Sequence, residues 1–483
     1  MNVETLRARG ERLNEALGRE SYEAGAGLKA VSDFAGIFER YADLASDDAW
    51  ETARPHRVLA EWVADARIGR AVAELDDRLH AWEASAEVVL EDGSRMPYQR
   101  VSIAMANEPR REVRSALDRA RRAVLAQPTA LRKERLARER ELLAAVDADL
   151  VCARSRLSGI DLDALALQCA RFLEDTRDLY REALAVRLAD DLGLAPGDAE
   201  RHDAAYLFRA PAFDAFFPGE QLVPIATRQA AELGLDLAAE GRVRLDTEDR
   251  ERKRPRAFCA PVRVPDEVYL VIRPHGGYVD YRAFWHELGH ALHFAHAGRA
   301  LPFEHRWLGD NSVTEAYAML FEHQLVQPAW LARYAGLTGE RRGEFLRRQA
   351  FALLAIVRRY TAKLGYEVQL QRAPSLEAGA AAYTELLTGA TGFRYADEDA
   401  LLDLDDGFYS ARYLRAWQLE AALRRSIVER FDEDWFRNPR TGPYLLDLFA
   451  RGQRDDAAAL AAGVVRAPLD FAPVVAQCEA ALA

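Results

Sequence analysis

Two histidines separated by three residues, with a glutamate directly after the first, are best suited to chemistry in this sequence. They form the segment His286-Glu287-Leu288-Gly289-His290. Four helical residues turn about 400° and rise about 6 Å, so both imidazoles project from one helix face and can bind the same tetrahedral Zn²⁺. Glu287 then flanks the open coordination position, where it can accept a proton from water and deliver it to a leaving amine. The segment therefore predicts one zinc ion per chain, with Glu287 as general base and acid.

The sequence offers two kinds of third zinc ligand. His296 stands where the pattern HExxHxxGxxH has its third histidine, but His293 occupies the position of the helix-breaking glycine, and no Met-turn follows. Glu315, on a predicted apolar helix, would complete a His-His-Glu set and is favoured. Ser312-Val-Thr-Glu315 also fits a capping box, in which Glu315 would only accept from the Ser312 amide. Further carboxylates that could bind the ion are Glu304, Asp310 and Glu322.

The elements that must position these residues are mostly helices. Apolar residues recur at three- and four-residue spacing over residues 2–194 and again from residue 281 to the end. The β-branched run at residues 268–272 predicts one strand just before the histidines. A shift to proline- and aromatic-rich sequence over residues 193–224 suggests a boundary. We expect an all-α protein with a small strand or sheet near the site, divided into a helical region 1–195 and a zinc-binding region 196–483, or formed as one interlocked body.

Composition excludes several classes of function. The 483 residues carry 65 basic and 77 acidic side chains, a formal net charge of −12, and the only short basic run is residues 252–256. Nucleic acid and anionic membrane surfaces are therefore not expected partners. The N-terminus has no apolar signal segment, and the four cysteines are scattered without a CxxC pair. These features predict a cytoplasmic protein with reduced thiols.

The sequence resembles the M3 oligoendopeptidases, which include thimet oligopeptidase-like enzymes, and their relatives the M32 carboxypeptidases and angiotensin-converting enzyme. The resemblance rests on HELGHALH, on Glu315 placed 28 positions after Glu287 in a helix of the form E-A-x-A-x-x-F-E, and on the segment 407–417. It implies two helical halves that enclose a deep channel. It also implies that residues 268–272 form an edge strand that binds the substrate backbone.

The same resemblance implies a transition-state role for a tyrosine in the segment 407–417. Tyr413, in an Arg412-Tyr413 pair like that of the converting enzyme, is the first candidate and Tyr409 the second. Phe408 stands where the M3 enzymes have their first tyrosine after the glycine. Either phenol would donate a hydrogen bond to the oxyanion.

The function predicted from the sequence is therefore that of a zinc metallopeptidase that cleaves short peptides. An M32-like carboxypeptidase is the alternative, and it needs a cationic group, such as Arg412 or Arg415, for the substrate carboxylate. A non-catalytic helical scaffold with a vestigial zinc site is a further alternative. Glu287 argues against it, because a structural site is closed by four protein ligands.

Replacing each candidate third ligand in turn tests whether Glu315 or His296 binds the zinc ion. Glu315→Ala should release the metal and abolish peptide cleavage, whereas His296→Ala should leave both nearly intact. Metal content per chain, measured by elemental analysis, checks both variants. Loss of metal from the His296 variant alone would reverse the assignment. If Glu315 only caps a helix, its loss should cost about 1 kcal/mol of stability and leave the metal bound.

Overall fold

The computed structural model describes residues 1–482, which fold into two compact units that are each assembled from three chain segments. Unit 1 contains residues 1–70, 212–346 and 412–474, and unit 2 contains residues 71–211, 347–411 and the segment from 475 onward. The division into regions 1–195 and 196–483 stays a prediction. The two compact units have other boundaries, because each of them combines segments from both regions.

The predicted all-α class is confirmed, since helices form most of the chain. The α-helices before residue 240 are α1 Val3–Gly25, α2 Phe34–Arg40, α3 Asp47–Ala53, α4 Arg57–Ser85, α5 Tyr98–Asn107, α6 Arg111–Arg122, α7 Ala126–Leu143, α8 Leu150–Ser158, α9 Leu162–Asp175, α10 Arg177–Leu192, α11 Arg201–Leu207 and α12 Leu222–Leu233. Those that follow are α13 Tyr278–His296, α14 Phe303–Arg306, α15 Asn311–Glu322, α16 Pro328–Trp330, α17 Gly339–Arg372, α18 Leu376–Ala380, α19 Ala382–Thr391, α20 Tyr409–Phe431, α21 Thr441–Phe449, α22 Ala457–Leu460 and α23 Ala472–Leu482. Among residues 1–482, no helix combines the length and apolarity needed to cross a membrane.

Five short strands form two small sheets. In unit 2, β1 (Glu87–Val89) and β2 (Arg95–Pro97) form an antiparallel hairpin. In unit 1, β3 (Val243–Asp246), β4 (Phe258–Arg263) and β5 (Glu267–Val271) form a sheet in the order β3-β5-β4. β5 pairs parallel with β3 and antiparallel with β4. The three-stranded sheet contacts α13, the helix that carries both histidines.

The strand expected at residues 268–272 exists as β5, but its expected place at the sheet edge is wrong. β5 is the central strand, and its backbone groups are used on both sides by β3 and β4. Its near-continuous burial fits this position, because a strand covered on both faces reads as an unbroken apolar run. The edge strand next to α13 is β4, which contains Pro261. Proline cannot donate to a strand ladder and is found mainly at sheet edges.

A buried polar network anchors the back of α13 in the core of unit 1. The side-chain oxygen of Gln229, on α12, accepts hydrogen bonds from the indole nitrogens of Trp285 at 3.0 Å and Trp330 at 2.8 Å. Its amide nitrogen donates to Gln324, which follows α15. Buried polar groups of this kind are usually hydrogen-bonded, and the bonds of Gln229 to three other segments favour one arrangement of the helices. Because Trp285 directly precedes His286, the network also fixes the rotation of α13.

Helices α13 and α15 approach each other at backbone distance at Gly289. A Cβ atom placed there would lie 2.6 Å from the Ala318 Cα atom and 2.7 Å from the Tyr317 carbonyl oxygen. Both contacts involve backbone, which cannot rotate away as a flexible side chain can. Glycine between the two histidines is therefore a packing requirement of the helix pair.

Gly289→Ala should separate α13 from α15 and lower both stability and metal retention. Overpacking of this kind costs about 1–3 kcal/mol, and we expect a lower unfolding temperature with less than one metal ion per purified chain. The matched control is Gly365→Ala in α17, where an added Cβ meets nothing within 4 Å. That variant should be stabilised by about 0.5–1 kcal/mol, because alanine is the better helix former. A Gly289 variant with parental stability and metal content would contradict the packing requirement.

Candidate metal centre

Three side chains from two helices converge on one point. His286 and His290 lie one turn apart on α13, and Glu315 faces them from α15. The Oε2 atom of Glu315 is 3.3 Å from Nε2 of His286 and 3.5 Å from Nε2 of His290. One ligand atom from each residue lies within 4.8 Å of the other two, and this is the only such group of His, Cys, Asp or Glu found in residues 1–482. The structure thus brings together the three residues predicted as zinc ligands.

The start of α15 explains why Glu315 is available to the histidines. Asp310 is the N-cap, and its side chain accepts from the Ser312 amide at 3.0 Å. The helix therefore begins two residues earlier than the capping box would require, and Glu315 lies in the second turn. The alternative in which Glu315 accepts from the Ser312 amide is wrong, because Asp310 already performs this capping role.

Each histidine is oriented through its second ring nitrogen. Nδ1 of His286 is 3.0 Å from Oε2 of Glu322, whose other oxygen accepts from Nε of Arg282 at 2.7 Å. Nδ1 of His290 is 2.9 Å from the hydroxyl oxygen of Thr314. Both arrangements leave Nε2 directed at the common point with Glu315. Partners of this kind fix the ring orientation and raise the basicity of a metal-binding imidazole.

The charges of the group favour a cation at its centre. Burial raises the pKa of Glu315, but the facing imidazoles of His290 and His286 outweigh burial and hold that pKa well below its ordinary range. Burial lowers the pKa of His286, whereas its contacts with Glu315 and Glu322 raise it to about 10. Two carboxylates thus stabilise positive charge on the His286 ring. Two nitrogens and one oxygen form the donor set of catalytic zinc sites with an open position, so the residues fit a zinc-type divalent ion.

Glu287 lies beside the group and is held by the sheet edge. The backbone N–H of Cys259, in β4, donates to Oε2 of Glu287 at 2.8 Å. Desolvation raises the pKa of Glu287, and the neighbouring imidazoles of His290 and His286 act in the opposite direction with a smaller effect. A carboxylate with a raised pKa is a better proton acceptor than an ordinary one, as general base catalysis requires.

The other candidate ligands have different partners. The Nδ1 atom of His296 is 2.8 Å from the Leu292 carbonyl oxygen, so this ring is bonded to its own helix. Glu304 accepts from Nε of Arg7 at 3.0 Å, and Asp310 caps α15. None of these residues belongs to the converging group. Glu322 contacts His286 through the ring nitrogen that faces away from Glu315.

The two tyrosines expected to act on the substrate lie one turn apart at the beginning of α20. Tyr409 is half-buried and belongs to unit 2, and Tyr413 is half-buried and belongs to unit 1. The Tyr413 ring lies 6.2 Å from that of Trp417, measured between centroids. Their roles in stabilising an oxyanion remain predictions.

Arg412, a candidate for holding a substrate carboxylate, is buried among acidic side chains. Its guanidinium pairs with Glu61 and, at 3.2 Å, with Asp310. The Nη2 atom of Arg415 lies 3.8 Å from Asp310. A buried guanidinium in ion pairs is costly to release, so Arg412 anchors the start of α15 to α20 instead of presenting a free charge.

Sequence reasoning missed Cys259 and Thr314, which contact Glu287 and His290. Thr314 directly precedes the predicted ligand Glu315, and this position could have indicated that its hydroxyl lies near the histidines. Cys259 was harder to find, because its strand is short and contains Pro261. A proline in an apolar run is nevertheless the sequence sign of an edge strand, and β4 is one.

No protein-family model matches the sequence, and no curated protein matches it either. Solved structures do resemble it over nearly its whole length. PZ peptidase A, solved with an inhibitor, is 15% identical with a TM-score of 0.64, covering 100% of this chain and 87% of the other. A Bacillus anthracis structure that carries the name oligoendopeptidase F is 15% identical (TM-score 0.57; 96% and 85% covered). Trypanosoma cruzi metallocarboxypeptidase 1 is 14% identical (TM-score 0.57; 99% and 99% covered). These likenesses establish a shared fold.

Removing the acceptor behind His286 should weaken metal binding. For Glu322→Ala we expect a 10- to 100-fold loss of metal affinity, about what such partners contribute in metal sites, measured by competition with a chelator. The control is Glu232→Ala. Its side chain is 25% exposed against 24% for Glu322, and it pairs with an arginine, Arg333, as Glu322 pairs with Arg282. Equal metal affinity in both variants would show that Glu322 does not orient His286.

Proposed function

We propose that this chain is a zinc-dependent metallopeptidase that hydrolyses peptide bonds in short peptides. The observation that carries the proposal is the group His286, His290 and Glu315 with Glu287 beside it. The names of the similar structures, which are peptidases, support the same reaction class. The four free cysteines fit the predicted cytoplasmic location, where thiols stay reduced.

His286, His290 and Glu315 would hold the ion as two neutral imidazoles and a carboxylate. Zinc bound there would act as a Lewis acid: it would polarise the scissile carbonyl and lower the pKa of water towards about 7. Oε2 of Glu287 accepts a hydrogen bond from the Cys259 N–H. Oε1 would therefore take the proton of the attacking water. As the C–N bond breaks, Glu287 delivers this proton to the leaving nitrogen, and the water oxygen remains on the acyl carbon. A phenol from Tyr413 or Tyr409 would donate to the oxyanion.

The edge strand β4 would align an extended peptide against Glu287. Its neighbour β5 is fully paired within the sheet, so the role expected for residues 268–272 passes to β4. Cys259 places this edge within one hydrogen bond of Glu287. Addition of a substrate strand to a sheet edge gives affinity through backbone groups and leaves side-chain choice broad.

A carboxypeptidase of the M32 kind is the alternative within the same fold, and one of the similar structures is a metallocarboxypeptidase. It requires a cation for the terminal carboxylate, and Arg412 is committed to Glu61 and Asp310. Amidation of a peptide's C-terminus distinguishes the two activities. A carboxypeptidase loses cleavage, whereas an M3-like oligoendopeptidase retains it.

The test of the proposed function is Glu287→Gln. The amide cannot accept the proton of water, so we expect a loss of kcat of about 10²- to 10⁴-fold with metal content and unfolding temperature unchanged. Cleavage of a peptide library, followed by mass spectrometry, supplies the rates and products. Glu304→Gln is the control, because Glu304 is also buried but pairs with Arg7 outside the metal group. A Glu287 variant that cleaves at the parental rate would remove the proposed mechanism.

A further inference from the structure

The short basic run noted in the sequence, residues 252–256, is an exposed source of positive charge. We call it the arginine segment. Arg252, Arg254 and Arg256 are exposed, and none of them forms an ion pair with any of residues 1–482. Three unpaired arginines thus lie within five positions of a chain in which acidic side chains outnumber basic ones. The segment therefore keeps charge available for a ligand.

Acidic side chains just upstream of the arginine segment are already neutralised by other cations. Of the four acids at positions 246, 248, 249 and 251, Glu251 alone forms no ion pair with any of residues 1–482, so three unpaired arginines lie near one unpaired glutamate. The pairs that use the other acids are Lys253–Asp246 at 2.9 Å, Arg250–Glu248 at 2.6 Å and Arg273–Asp249 at 2.6 Å. The surplus positive charge thus lies at the end of the segment that leads into β4.

The arginine segment is held close to the catalytic edge of the sheet. The backbone N–H of Arg254 donates to the Gly25 carbonyl at 2.8 Å, and its guanidinium lies 6.0 Å from the centroid of the Phe258 ring. Phe258 begins β4, and the next residue, Cys259, donates to Glu287. Arg256 is three residues before Cys259, a span of at most about 10 Å at about 3.3 Å per residue. The two arginines therefore lie within a few substrate residues of Glu287.

The direction of β4 decides which part of a peptide would meet these arginines. β4 pairs antiparallel with β5 on its inner side. Antiparallel pairing is also the more stable choice for a strand added to its outer side. A peptide bound in this way, with its scissile bond at Glu287, runs towards the start of β4 after the cut. Its residues on the C-terminal side of the bond then approach Arg256 and Arg254.

We propose that Arg254 and Arg256 bind carboxylates on the C-terminal side of the scissile bond, so that the preferred substrates are peptides with an acidic group two or three residues after the cut. This inference rests on the proposed function and names its substrate class. The carboxylate can belong to an acidic side chain or to the C-terminus of a short peptide, since both offer the same bidentate partner to a guanidinium.

The expected preference is moderate and sensitive to salt. Exposed ion pairs are weak, and each arginine should contribute up to about fivefold in kcat/KM. Two arginines acting on one carboxylate should give about tenfold. Screening reduces interactions between exposed charges, so the preference should shrink as the ionic strength rises.

Four peptides test the inference on the metal-loaded full chain. A peptide of about nine residues is chosen from the library products for a single cut, and the second residue after the cut is made Glu or Gln. Each version is synthesised with a free and with an amidated C-terminus, which separates the two sources of carboxylate. We expect the Glu peptide to have a kcat/KM about tenfold above that of the Gln peptide, mainly through KM. In R254Q/R256Q this ratio should fall to about one.

The control variant is Arg171→Gln, which removes one exposed arginine of α9 that has no ion pair within residues 1–482. It should keep the parental ratio. A parental ratio near one, a ratio unchanged in R254Q/R256Q, or a preference for acidic residues before the cut would overturn the inference while leaving the peptidase proposal intact. If the parental enzyme cleaves no peptide, the proposed function fails, and the inference fails with it.

Discussion

The group His286, His290 and Glu315 exists because two helices meet at backbone distance. At Gly289 there is no room for a Cβ atom between α13 and α15, and this contact sets how far the Glu315 carboxylate lies from the two imidazoles. Ordinary helix pairs keep their axes 8–10 Å apart because side chains lie between them. Other contacts within unit 1 keep α13 and α15 from sliding along each other or rotating about their axes. Gln229 fixes the back of α13, Asp310 fixes the first turn of α15, and Arg412 joins that turn to α20.

Burying several ionisable groups together costs free energy of desolvation unless each charge has a partner of opposite charge or a hydrogen bond. The imidazoles face Glu315 on one side and Glu322 and Thr314 on the other, while the second oxygen of Glu322 is bonded to Arg282. Glu287 stands apart from this compensation. Its partner is a neutral backbone N–H, so its carboxylate is less stabilised than Glu315, and the two pKa values move in opposite directions. The two glutamates on facing helices thus differ in proton affinity: Glu315 favours the ionised form, and Glu287 binds a proton more readily.

Local sequence rules predicted the parts of this structure that depend on local geometry. The i,i+4 spacing placed His286 and His290 on one face, and periodic apolar residues predicted the helices. Glu315 was favoured because it is an acid on a second, apolar helix that would complete a His-His-Glu set. Prediction failed where the answer depends on distant segments. The order β3-β5-β4 joins strands through long-range pairing, so residues 268–272 could not be recognised as the centre of a sheet. The capping box misplaced the start of α15 by two residues, because Ser312 and Asp310 are both good N-caps. In the structure Asp310 is the cap, and it also accepts from the Ala457 backbone N–H and from Arg412, both distant in sequence.

The assembly of each unit from three separate segments has a consequence for how the protein is made. Residues 412–474 belong to the same compact unit as the helices that bear the histidines and Glu315. Domains generally fold as units during synthesis. When the ribosome has produced α13 and α15, residues 412–474 of unit 1 have not yet been made, among them Arg412 of α20, which secures the first turn of α15. The contacts that fix the group His286, His290 and Glu315 are therefore complete only after residue 412 has been synthesised. Until then, a nascent chain carries these histidines and carboxylates without the Arg412 contact.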